Sequence, residues 1–238
     1  DSWKIYFDEY KKIPQYKLLN FDMSLSEFKV IFYWEYFHRI LARIIGIFFM
    51  LPLIYFYFSK KIKDEYIKIC LIIFSLIIFQ GIIGWYMVKS GLVNVITVSH
   101  YRLSIHLFTA IIIISLIYWL LMNVLTKKNK IFFNFSKDNS IFIFLIFLIF
   151  AQIILGAFVS GLDAGKIYQT WPMMGNSLFP NDLILINLNI LTDFSNHSLV
   201  QFYHRNLAYL IILYILALSF YIYKKKLVDL FKPLKILF

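Results

Sequence analysis

Long apolar runs, broken by short polar clusters, set the pattern of this chain. Five runs, at 31–58, 69–90, 103–124, 139–160 and 199–222, reach or exceed the roughly 20 residues that a helix needs to cross a bilayer. Such spans satisfy their backbone only as helices. The pattern predicts an all-α fold, a polytopic transmembrane helical bundle with five spans. Residues 1–30 carry five Lys and five acids among many aromatics. They read as a loop or surface segment outside the bilayer. The organisation that follows is an outer-side segment at 1–30 and a half-bundle of three helices at 31–124. An inner basic loop at 125–138 leads to a second half-bundle at 139–222, two helices with a long outer loop at 161–198. A basic tail closes the chain at 223–238.

Composition agrees: 61% of residues are hydrophobic and 20% aromatic, well above the mix of a soluble domain. The net charge of +11 would otherwise suggest nucleic acid. The lysines, however, cluster after the first, third and fifth spans: Lys60, Lys61, Lys63 and Lys68; Lys127, Lys128, Lys130 and Lys137; Lys224, Lys225 and Lys226. The positive-inside rule places these clusters on the cytoplasmic or matrix side, and 1–30, 91–101 and 161–198 opposite. An integral protein of a bacterial inner membrane or a mitochondrial inner membrane is expected, with no nucleic-acid partner. The one cysteine, Cys70, excludes a disulfide framework, a zinc cluster and covalent haem attachment through paired cysteines.

Charge inside a membrane helix is costly and marks function. The segment Trp34-Glu35-Tyr36-Phe37-His38-Arg39 puts an acid, an imidazole and a guanidinium in one turn and a half. Glu35 and His38, three apart, share a helical face. A second version, Gln201-Phe202-Tyr203-His204-Arg205, opens the fifth span with Gln in place of Glu. His106 lies near the outer end of the third span. Three intramembrane histidines thus fall near one depth. His100 and His197 read as lying outside the helices and incidental. A second repeat pairs Gln80-x-x-x-Gly84 with Gln152-x-x-x-Gly156, each followed by Ser-Gly-Leu. Spacing of four puts Gln and Gly on one face, where Gly admits a close neighbour or a flat cofactor.

Imidazoles from different helices at matching depth suit the axial positions of haem iron. His38 and His106 form such a pair, whereas His204 has no later histidine to meet. Only four arginines, Arg39, Arg43, Arg102 and Arg205, stand against twenty lysines. Where this chain writes Arg, a planar bidentate donor is expected, as for a haem propionate carboxylate; Arg39, Arg102 and Arg205 are placed for it. Interfacial snorkelling is the plain alternative. Glu35, one turn from His38, is the candidate catalytic residue for moving protons, the alternative being an acid that orients the imidazole. Two other functions remain open on these residues: a membrane dihaem b-type electron-transfer cytochrome, and a haem-free proton-coupled transporter.

The motifs as a set resemble haem A synthase of the mitochondrial and alphaproteobacterial type. They include Trp34-Glu35-Tyr36-x-His38-Arg39, Gln80-Gly81-x-x-Gly84-Trp85, Tyr101-Arg102-Leu103-x-x-His106, Thr170-Trp171-Pro172-Met173 and Val200-Gln201-Phe202-x-His204-Arg205. The resemblance implies two similar four-helix halves and an oxidoreductase that converts a methyl group of haem O to a formyl group, giving haem A for cytochrome c oxidase. It implies His38 and His106 as ligands of the substrate haem, with Arg39 and Arg102 nearby and Glu35 as the essential acid. His204, with Arg205, would hold a haem B cofactor. Haem O synthase and an electron donor are the implied partners, and a homo-oligomer is admitted. The resemblance further implies a first helix before Asp1 and two after residue 222, the last bringing the second haem B histidine, so that activity belongs to the longer chain.

Overall fold

A computed structural model of the chain describes residues 2–91, 97–126, 135–136, 139–183, 188–227 and 230. Among them are seven α-helices. Two short ones, α1 (Ser2–Tyr10) and α2 (Pro14–Leu19), precede five long ones: α3 (Leu25–Ser59), α4 (Asp64–Gly91), α5 (His100–Thr126), α6 (Ser140–Gly161) and α7 (His197–Lys224). Single 3-10 turns occupy Ala164–Lys166 and Leu188–Thr192. The five long helices are apolar enough to cross a membrane, and the protein is an integral membrane protein.

Most helices start earlier than the apolar runs suggest, because hydropathy misses a polar first turn. The α3 helix shows the reason. Ser24 caps it, its hydroxyl accepting from the Glu27 amide at 3.3 Å while Glu27 Oε2 accepts from the Ser24 amide at 2.8 Å. This reciprocal box satisfies two otherwise orphaned donors and starts the helix six residues before 31. His100 and His197, expected outside the helices, are instead the first residues of α5 and α7.

The chain divides into two compact units, Asp1–Lys130 and Ile131–Phe238. In the first, α4 packs against both α3 and α5. The α3–α4 contact uses stacked rings of Phe49 and Phe74, 6.4 Å apart, and the bare Cα of Gly46 facing Ile77. The surface segment folds onto α3 through aromatic pairs, Trp3 on Phe32 and Phe7 on Phe28, both with centroids at 5.2 Å. In the second unit α6 packs on α7. Tyr214 bridges them, its ring against Phe144 and its hydroxyl donating to the Ile141 carbonyl at 2.8 Å. Most side chains of the five spans point outward, which hydrocarbon accepts as readily as a protein core would. Lys127, Lys128, Lys130 and Lys137, Leu92, and the tail beyond 227 apart from Leu230 lie outside the described residues.

Candidate haem-binding site

The Gln-x-x-x-Gly repeat and the histidines meet one to one. In the first unit Gln80 Nε2 donates to the backbone carbonyl of His106 at 2.9 Å. One turn on, Gly84 lies so close beneath the same residue's ring that a Cβ there would stand 3.0 Å from His106 Cε1. In the second unit Gln152 Nε2 donates to the carbonyl of His204 at 3.1 Å, and a Cβ on Gly156 would stand 3.3 Å from His204 Nε2.

Helix geometry explains the spacing. Backbone carbonyls point toward a helix's C-terminus, while side chains lean toward its N-terminus. Against an antiparallel neighbour, a histidine therefore shows its carbonyl at one level and its ring about one turn away. Gln at i meets the first and Gly at i+4 the second. Gly81, in the same motif, faces open space, so the requirement for a bare Cα belongs to Gly84. His106 is the seventh residue of α5 and His204 the eighth of α7, so the two stand within one residue of the same height on their own helices.

His38 lies on the exposed face of α3. Glu35 is turned to Arg39, whose Nη1 donates to Glu35 Oε1 at 2.7 Å, both side chains about half-exposed. Arg102 lays its guanidinium on the ring of Tyr86, 4.8 Å from its centroid.

The second unit uses the equivalent positions differently. Gln201 is buried. Its Oε1 accepts from the Tyr168 amide at 3.2 Å, and its Nε2 donates to the carbonyls of Gly165 and Tyr168 at 3.3 and 2.9 Å. Only an amide can both donate and accept there, which accounts for Gln where the first unit has Glu35. Arg205 completes the clamp: Nη1 donates to the Thr170 and Met173 carbonyls at 2.7 and 3.3 Å, and Nη2 to the Tyr168 carbonyl at 2.5 Å. The long loop is thereby fastened to α7 on either side of His204. Sequence reasoning missed this use of Gln201 and Arg205; the signal was the Glu-to-Gln exchange between the repeats.

A third anchor lies outside the spans. Asp182 accepts from the hydroxyls of Tyr168 and, at 2.6 Å, Ser198. Burial alone would raise the Asp182 carboxyl, but these two hydrogen bonds outweigh it and hold the group below the usual range. Burial and the adjoining carboxylate push the Tyr168 phenol up.

The residues fit a haem. His106 Nδ1 is buried without a hydrogen-bond partner among the described residues, and a glycine in each unit gives the imidazole its close seat. Among the described residues no cluster of three or more His, Cys, Asp or Glu could hold a bare metal ion. Apolar spans, with one imidazole in each unit seated on a glycine of a neighbouring helix, define a polytopic helical membrane protein.

The comparisons narrow this class. The COX15-CtaA family of cytochrome oxidase assembly proteins matches residues 1–236, and the chain belongs to that family. It is 49% identical over 228 residues to heme A synthase of Pelagibacter ubique (strain HTCC1062), covering 95% of this chain and 66% of that protein. Heme A synthase of Parvibaculum lavamentivorans is 40% identical over 214 residues, covering 90% of this chain and 61% of that protein. That of Rickettsia bellii (strain OSU 85-389) is 41% identical over 230 residues, covering 95% and 68%. The chain therefore spans about two thirds of the length of these curated relatives. No solved structure matches it.

Proposed function

We propose that this chain is the haem-handling portion of a haem A synthase, which oxidises a methyl group of haem O to a formyl group. His38 and His106 hold the substrate haem O through its iron, and His204 holds a haem B cofactor. Bound iron porphyrin supplies the oxidising chemistry; the protein supplies position, proton movement and exclusion of water. Glu35, one turn from His38, carries protons at the edge of the substrate. Its bond to Arg39 aims the carboxylate. Arg39 and Arg102 face the propionates of the substrate haem. Arg205 gives its Nη donors to loop carbonyls and retains its Nε–H for the haem B side. The alternation of basic clusters puts these sites toward the outer leaflet of a bacterial inner membrane or its mitochondrial counterpart. Converting methyl to formyl removes four electrons and adds one oxygen atom, so the reaction calls for an external oxidant; with O2 in that role it also calls for an electron donor, beside haem O synthase as the source of substrate.

The observation that supports this reading best is the pair of clasped histidines, one in each unit, in a member of a cytochrome oxidase assembly family. Glu35→Ala in the full reading frame is expected to retain haem and to abolish haem A formation. An unchanged haem A yield removes Glu35 from the chemistry. His204→Ala is expected to lower bound haem B, read from the pyridine haemochrome spectrum; a full haem complement overturns its assignment.

A further inference from the structure

Two glutamines of the membrane interior remain outside this account. Gln80 and Gln152 sit on different helices, in different units, at the same place relative to a histidine. Each gives its amide N–H to that histidine's own backbone carbonyl, at 2.9 and 3.1 Å. In each, Oε1 is buried with no partner among the described residues. A helix does not need this bond, because the carbonyl at i already accepts from the amide at i+4. Carrying an uncapped amide oxygen in the interior is also costly. Neither fact suits a residue kept for stability alone. A single case could be an accident of packing, but the same bond to the same atom of two histidines is not.

We infer that Gln80 and Gln152 are positioning residues that fix the rotation of α5 and α7 about their axes, and so the plane of the His106 and His204 imidazoles that would ligate a haem. The carbonyl lies on the backbone of the ligand residue itself. Pinning it to α4 or α6 leaves the ring only its two side-chain torsions. The glycine one turn along then limits those, since the ring packs closely against a bare Cα. Partners beyond the ligands tune a metal site by orienting the ligands in this way, and their loss typically costs about tenfold or more in affinity. This inference rests on the haem reading above, and it adds residues that never touch the iron.

The test uses the purified product of the full reading frame in detergent, titrated with ferric haem B and read by visible and electron paramagnetic resonance spectra. Gln80→Met and Gln152→Met keep length and remove the donor. Each is expected to weaken haem binding in its own unit roughly tenfold. Each should also shift the paramagnetic signal of that haem alone, because ligand-plane orientation sets the signal. Failure of the unsubstituted chain to bind haem overturns the haem reading itself. Haem binding with spectra and affinity unaltered in both Met variants overturns the positioning role alone. Loss of both haem signals from a single substitution overturns it as well, since that is the mark of general unfolding.

Discussion

Arg205 donates to the carbonyl of Tyr168, 37 positions earlier, at 2.5 Å. The residue beside the second unit's histidine is thus a fastener for the long loop. Hydrogen bonds to a charged group contribute about 1.5–3 kcal/mol each, and Arg205 makes three to this loop. Arg205→Lys keeps the charge but loses the fork. We expect backbone amides near 165–174 to exchange at least tenfold faster in that variant, measured by hydrogen–deuterium exchange, with the α6–α7 core unchanged.

Gln201→Glu tests the division of labour between the two repeats. A carboxylate can accept from the Tyr168 amide but cannot donate to the Gly165 and Tyr168 carbonyls. It would leave those carbonyls facing a buried charge. The expected cost is about 2–3 kcal/mol, seen as a lower thermal midpoint in detergent. The reciprocal exchange, Glu35→Gln, should leave the midpoint within about 1 kcal/mol, as its half-exposed bond to Arg39 implies.

Glycine substitutions should separate by position. Gly84→Ala drives a Cβ to 3.0 Å from the His106 ring, an overpacking expected to cost about 1–3 kcal/mol and to displace the imidazole. Gly156→Ala, at 3.3 Å from His204, should be milder. Gly81→Ala meets open space and should be neutral or stabilise by about 0.5–1 kcal/mol, as alanine is the better helix former. Thermal midpoints of the three variants, with haem titration, decide the order.

The loop anchor at Asp182 carries a pH signature. Its carboxyl is depressed in the folded chain, so its contribution is present above the ordinary carboxylate range and is lost as pH falls through the lowered value. Tyr168 is raised, so its contribution is present below the ordinary phenol range and fades as pH climbs through the raised value. Limited proteolysis within 161–183 should therefore be slowest in the broad middle range and quicken at both extremes. Asp182→Asn should flatten the acid limb; an unchanged acid limb would remove Asp182 as its source.

Membrane sidedness is testable with single cysteines. Asn176→Cys in the long loop and Lys63→Cys after α3, both exposed, are expected to react with an impermeant maleimide from opposite faces of intact vesicles. Labelling of both from one face would overturn the positive-inside reading.

Much of the architecture was legible because length and hydropathy speak directly to a bilayer. The beginnings of the helices were less so: Ser24 and Glu27 extend α3 through hydrogen bonds that apolar content does not register. The Gln-Gly spacing disclosed a face of α4 and of α6, but not the histidine that each face would meet. That choice is made by antiparallel packing, which places a carbonyl and its own ring a turn apart. The scarcity of Arg suggested a planar fork for a haem carboxylate; what Arg39 meets among the described residues is Glu35, through one Nη1 bond. The carbonyls that Arg205 finds come from a loop fold with no periodicity to read, held by Gln201 and Asp182 through contacts distant in sequence.

The reciprocal cap at the head of α3 turns the stretch between Ser24 and His38 into a fixed measure. Each residue in a helix advances about 1.5 Å and turns about 100°. Gain or loss of one residue within that stretch would swing Glu35 and His38 together to another bearing. Gain of seven would restore the bearing but carry the pair about 10 Å along the axis. A change of length ahead of Ser24, by contrast, alters neither heading nor depth.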